Sequence, residues 1–208
     1  MPFQISQQSY SSIVPDGYDC LYVDSTTGAL TVMNSASYHR GLGINNYSVA
    51  SQAPAATTRT YITGSALTFA AGQLQIGTAF RWTFDVTKTG AGTASATVDI
   101  AFGTAGTTAD TARVSFTKPA GTAVIDCGKF VIEAIVRGPI GGAGVVAGHM
   151  TLTHNLQTTG LANVPCVDVT TISAAFDVTT PTYVGVCITT GASDAYTMQL
   201  VMAEAWNI

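Results

Sequence analysis

The sequence predicts an all-β fold, an antiparallel jelly-roll sandwich of about eight to ten strands, and three observations support this. Residues 78–87 place Phe80, Trp82, Phe84 and Val86 at alternate positions, with Arg81, Thr83, Asp85 and Thr87 between them. Successive side chains of a strand point to opposite faces, so this period of two marks a half-buried strand. Beyond residue 60, runs of strand length alternate with Gly, Pro and Asn clusters, and no helical period intervenes. Charged residues make up only 10% of the chain. That is well under the usual quarter, and the long Lys, Glu and Arg runs of exposed helix faces are missing.

The elements follow in order. Residues 1–19 read as an extended arm, with Phe3, Ile5, Tyr10 and Tyr18 as its apolar contacts and Val14-Pro-Asp-Gly17 as a turn. Cys20–Asp24 and Ala29–Met33, joined through Gly28, read as a β-hairpin. A lone hairpin is marginal in water, so this one is expected to dock on something. Residues 34–60 are mostly Ser, Ala, Asn, Gly and Thr and read as a long irregular connection. Such a run is unusual inside a compact domain. The expected division is therefore a loop-rich anchoring region, 1–60, and a β-sandwich domain, 61–208. Within the second, strands are expected at 65–69, 78–87, 93–103, 111–118, 123–137, 145–154, 164–171, 174–178, 182–189 and 195–206. The expected core is led by Phe80, Trp82, Phe84, Phe130 and Ile132; each fully buried aromatic of this kind contributes about 1.5–3 kcal/mol by leaving water. An immunoglobulin-like sandwich is the second choice, but its Cys and Trp core signature is missing.

Composition narrows the function. At 208 residues the chain is long enough for one sizeable core, or one domain with an appendage. A net charge of −4 without any basic cluster argues against nucleic-acid binding. No apolar run is long enough for a membrane span, and the first residues lack a signal-peptide layout, so synthesis in a cytoplasm is expected. Cys20, Cys127, Cys166 and Cys187 are widely spaced and read first as free thiols, with one disulfide as the alternative that spacing leaves open. A chain that is 47% hydrophobic and poor in charge fits a subunit that covers much of its surface in a permanent assembly better than an isolated neutral domain.

The search for chemistry nominates no catalytic, cofactor-binding or metal-ligating residue. His149 and His154 are five apart in a strand-like run and point to opposite faces; no H-E-x-x-H occurs. No G-x-S-x-G elbow is present, and Cys166 and Cys187 lie in apolar runs that disfavour the thiolate. Asp85 and Asp99 are the one candidate carboxylate pair, as cross-strand neighbours of a hairpin turning near residue 90, although solvated positions on a polar face are the plainer reading. The glycines of residues 138–144 precede a strand rather than a helix and carry no G-K-[ST], so they read as a turn. Tyr10, Tyr18, Tyr38, Tyr47 and Tyr61 suit either docking of the arm or a sugar platform, and docking is the plainer of the two.

Several stretches resemble structural proteins of tailed bacteriophages. They are Tyr61-Ile-Thr-Gly-Ser65, Leu74-Gln-Ile-Gly-Thr78, Phe80-Arg-Trp-Thr-Phe-Asp-Val-Thr-Lys-Thr89, the run from Asp99 to Lys118, Val136-Arg-Gly-Pro139 and His149-Met-Thr-Leu-Thr-His-Asn-Leu156. The N-terminal hairpin, Leu21 to Val32, is similar to small β units of phage fibre and capsid-decorating proteins. The resemblance implies a non-enzymatic virion component, a homotrimer built around jelly-roll domains whose N-terminal part grips the particle. Because the chain has no extended shaft, the expectation is a capsid decoration (cement) protein on the capsid exterior. It would contact itself and the major capsid protein, with Phe3, Ile5, Tyr10 and Tyr18 as capsid contacts. The alternative is a receptor-binding head- or tail-fibre tip that recognises host-surface glycan through the loops at 138–144 or 155–160.

Overall fold

A computed structural model describes residues 20–23, 30–33, 39–41, 43–138, 144–170, 173–177, 179–192 and 196–206. The expected arm contacts Phe3, Ile5, Tyr10 and Tyr18 lie outside the described residues. All regular structure among the described residues is strand. Strands β1 (Cys20–Val23), β2 (Leu30–Met33) and β3 (His39–Gly41) form a three-stranded antiparallel sheet. The expected hairpin is therefore present, and β3 extends it.

The remaining strands are β4 (Ile44–Ser48), β5 (Thr60–Tyr61), β6 (Leu67–Phe69), β7 (Ala79–Lys88), β8 (Ala96–Gly103), β9 (Thr111–Lys118), β10 (Asp126–Arg137), β11 (Val145–His154), β12 (Cys166–Thr170), β13 (Thr182–Thr189) and β14 (Tyr196–Trp206). They build two antiparallel sheets. One has six strands in the order β12-β11-β10-β7-β14-β4; the other has the order β5-β13-β8-β9, with β6 also paired to β13.

The core fills the space between these sheets, and the alternation in β7 supplies its centre. Phe80, Trp82, Phe84 and Val86 are buried, as are Phe130 and Ile132 beside them on β10. Phe80 stacks on Trp82 at 5.5 Å between ring centroids and meets Phe69 and Phe102 edge-on. The one polar atom of Trp82, Nε1–H, donates to the Ser65 carbonyl at 2.8 Å. Ser65 is itself fully buried and satisfied: its hydroxyl donates to the Ile62 carbonyl and accepts from the Val186 amide. A buried polar group left unpaired is costly, and here none of these is.

Two seams close the sandwich along its sides. On one, the Thr117 amide of β9 donates to Asp168 Oδ2 of β12 at 2.9 Å. On the other, Asn46 Nδ2 of β4 donates to the Ala66 carbonyl beside β6 at 2.7 Å. The connections at one end are held from inside. Buried Lys88 donates to the carbonyls of Thr89, Thr122 and Val124, and buried Lys118 to those of Pro119 and Leu161.

Three expectations change. The stretch 34–60 is not all irregular: β4 pairs with β14 from Ile44↔Ala205 to Ser48↔Val201, and bridges tie Gln52 to Met198 and Ala56 to Thr190. The sandwich thus takes in residues that the sequence assigned to the anchoring region. Of the expected strand at 174–178, the described residues 174–177 form no strand, and Phe176 makes a single bridge to Gly144. Residues 89–95 are not a hairpin turn, because β7 and β8 belong to different sheets.

Candidate functional site

The two sheets differ in what lies on their outer faces. The middle strands of the five-stranded sheet, β8 and β13, are buried on both sides over most of their length. The chain's own loops cover them. Arg59, from the segment before β5, donates through Nε to Asp99 Oδ2 at 3.0 Å and through Nη2 to Oδ1. Its Nη1 donates to the carbonyls of Thr108 and Asp110. The Asp110 carboxylate in turn accepts from the amides of Ala105 and Gly106, which folds the 104–110 loop over the sheet. Tyr61 lies across Gly185 so closely that a Cβ there would sit 2.0 Å from the phenolic oxygen. Beneath this cover burial pushes the Cys187 thiol up to about 12, and it pushes the Tyr61 phenol well above its ordinary range. The Arg59 guanidinium is raised as well, mainly by its hydrogen bond with Asp99.

Among the described residues, nothing covers the outer face of the six-stranded sheet in this way. Its outward side chains fall into rows that the strand register fixes. One row crosses all six strands: Val167, Thr151, Val131, Thr83, Met202 and Tyr47. It carries no charge, and Tyr47 (68%), Val167 (66%) and Met202 (41%) are exposed. A neighbouring row holds His149, Glu133, Arg81 and Glu204 in register. There Arg81 Nε donates to Glu133 Oε1 at 2.8 Å, His149 Nε2 lies 3.3 Å from Glu133 Oε2, and the Arg81 guanidinium sits over the Trp206 ring. On the other side of the uncharged row, Lys129 Nζ lies 3.4 Å from Asp85 Oδ1. Ile135 and Trp206 are also exposed on this face.

At one end of the face an open groove of about 640 Å³ is lined by Asp85, Thr87, Cys127, Lys129, Thr153, Asn155 and Gln199, among others. Its floor is rigid. Buried His154 places Nδ1 2.7 Å from Asp126 Oδ2, and Asp126 also accepts from the amides of Leu161 and Cys127. Burial works against the Asp126 charge, but these hydrogen bonds outweigh it and hold the carboxyl below its ordinary value. Gly160 has φ +84°, and a Cβ there would collide with Asp126 at 2.3 Å, so the loop admits only glycine.

The residues that the sequence singled out separate accordingly. Phe80, Trp82, Phe84, Phe130 and Ile132 are core. Asp85 and Asp99 are not neighbours: Asp85 faces Lys129 on the bare face, and Asp99 is held by Arg59 under the covered one. His149 and His154 do point to opposite sides, one exposed beside Glu133 and the other buried on Asp126. Cys127, Cys166 and Cys187 are free thiols. Tyr47 is exposed on the bare face, and Tyr61 packs on Gly185. Among the described residues, no group of three or more His, Cys, Asp and Glu side chains is placed to hold a metal ion. Sequence reasoning missed the quartet Arg81, Asp85, Lys129 and Glu133. The available signal was opposite charges four apart on one face of each of two strands.

Comparison with protein-family models, with curated proteins and with solved structures finds no match.

Proposed function

We propose that this chain is a non-enzymatic virion structural protein of a tailed bacteriophage, a capsid decoration protein that binds the outer head surface and stabilises the shell. The bare outer face of the six-stranded sheet carries the assembly part of this reading. Tyr47, Val167, Met202, Ile135 and Trp206 are all exposed on it, and large apolar patches at a surface mark interaction sites. The virion part comes from the phage-like stretches between Tyr61 and Leu156, and so do the homotrimer and the grip of the N-terminal region on the major capsid protein. On this reading the chain is made in the host cytoplasm and ends on the capsid exterior.

A jelly-roll relationship is part of the proposal. Strand pairing is nested: β7 with β14, β8 with β13, and β10 with β11. A rolled-up hairpin produces this order. The departure is that β9 and β12 face each other across a seam instead of pairing.

A protein that binds only the assembled shell stabilises it by mass action. Particles with and without this protein, heated while genome release is followed with a DNA-binding dye, test the reading. Release at a lower temperature without the protein is expected; identical release temperatures would sink it. One feature favours the second reading, a fibre tip that recognises host-surface glycan. The groove beside Asn155 offers Asp85, Lys129, Thr153 and Gln199 as hydrogen-bonding groups for a sugar.

A further inference from the structure

The bare face carries its charges in a pattern that fits a second copy of itself. On β10, Lys129 and Glu133 lie two residues either side of Val131; on β7, Asp85 and Arg81 lie two residues either side of Thr83. Val131 and Thr83 are register partners, so the four charges form a checkerboard about the uncharged row. Lys129 stands beside Asp85 on one side of the row, and Glu133 beside Arg81 on the other.

Consider a two-fold axis lying in the face along that row. It sets each strand against the same strand of the other copy, running in the opposite direction. A residue two places above the row then meets the residue two places below it. Lys129 meets Glu133 and Asp85 meets Arg81, each pair twice. Val131 meets Val131, and Thr83 meets Thr83. The flanking His149 and Glu204 meet Thr153 and Leu200, so no like pair is brought together. Had each strand carried the same sign at both positions, the same rotation would have opposed like charges, at a cost of several kcal/mol.

We propose that two copies of this chain pair through the outer face of the six-stranded sheet, about a two-fold axis along the row from Val167 to Tyr47. The proposal rests on reading the chain as an assembly subunit and adds the surface and the symmetry. The size of the face agrees with it. Six strands at ~4.8 Å give a width near 29 Å, and the eight steps from Cys127 to Ile135 at ~3.3 Å give a length near 26 Å. The product, roughly 750 Å², is close to the ~800 Å² per partner of a standard specific interface. Sheets packed face to face in the aligned class keep their mean strand directions within about 30°, which this axis satisfies.

Sedimentation equilibrium of the full chain is the first test. A dimer supports the pairing, as does a hexamer, in which a three-fold ring uses another surface; a monomer or a trimer overturns it. Val131→Arg places two guanidinium groups against each other on the axis while leaving an outward, half-buried position. With an unchanged circular dichroism spectrum, it is expected to weaken pairing about tenfold or more; unchanged association overturns the proposal. The four-fold exchange Arg81→Glu, Asp85→Lys, Lys129→Glu, Glu133→Lys inverts the checkerboard but keeps it self-complementary. This variant should pair with itself and not with the wild-type chain, and free mixing of the two counts against the axis. Pelleting with depleted particles separates this proposal from the decoration reading. A chain that pairs but does not pellet sinks the decoration reading alone, and one that pellets as a monomer sinks the pairing alone.

Discussion

The two outer faces of this sandwich are built from the same kind of strand and meet opposite fates. On the five-stranded sheet an outward carboxylate, Asp99, is 3% exposed, gripped by Arg59 and roofed by the 104–110 loop. On the six-stranded sheet the outward carboxylates Asp85 and Glu133 are a third or more exposed at the side chain, and their partners Lys129 and Arg81 are about half exposed. The difference is a matter of loops. The segment before β5 and the connection between β8 and β9 fold back over their own sheet, whereas the described connections of β7, β10 and β14 run at its ends. Among the described residues, two loops cover the one face and none covers the other, so folding of these segments finishes only the first.

Given that contrast, breaking the covered ion pair should cost far more than breaking the bare one. Arg59→Ala leaves buried Asp99 without its guanidinium partner and takes the Nη1 donor from the carbonyls of Thr108 and Asp110. Removing one partner of a buried pair typically costs 3–5 kcal/mol, and about the lower end is expected here because Arg59 is itself a quarter exposed. Denaturant unfolding measures it. A loss below about 1 kcal/mol would mean that the roof is as dispensable as a surface contact.

A smaller effect is expected where the six-stranded sheet turns its charge inward. Asp126→Asn keeps the shape of the Asp126–His154 contact but removes the ionised acceptor, at a cost of about 1–3 kcal/mol. The pH dependence has a definite sign. The folded-state pKa of Asp126 is depressed, so its contribution is complete above the unfolded value near 3.8 and is lost as pH falls below it. The wild-type chain should therefore lose part of its advantage over the variant between about pH 5 and pH 2. A stability gap that stays constant over that window would remove Asp126 from the acid response.

How much of this was legible beforehand follows from which interactions are local. The alternation of Phe80, Trp82 and Phe84 is written in consecutive residues, and their burial is as the period of two requires. Strand β4 escaped because Ile44-Asn-Asn-Tyr-Ser48 has no run of β-branched residues; what holds it is pairing with β14, far along the chain, and Asn46 bonding to the Ala66 carbonyl. Asp99 read as a solvated position because nothing near it in sequence announces that Arg59, forty residues upstream, covers it. The checkerboard was half visible. Each strand shows its own opposite charges four apart, but only the Val131↔Thr83 register sets them side by side.

The smallest effect is the sharpest test of the comparison. Arg81 makes an ion pair with Glu133 and lies over Trp206, and by inventory it resembles Arg59. Its surroundings differ: its side chain is 48% exposed, and water solvates both charges whether or not they meet. Exposed pairs contribute about 0–1 kcal/mol, and salt screens them further. Arg81→Ala measured on the separated chain should therefore change stability by less than about 1 kcal/mol, and by less still in high salt. Should it instead cost as much as Arg59→Ala, the outer face of the six-stranded sheet would already be covered within a single copy, and the contrast between the two faces would disappear.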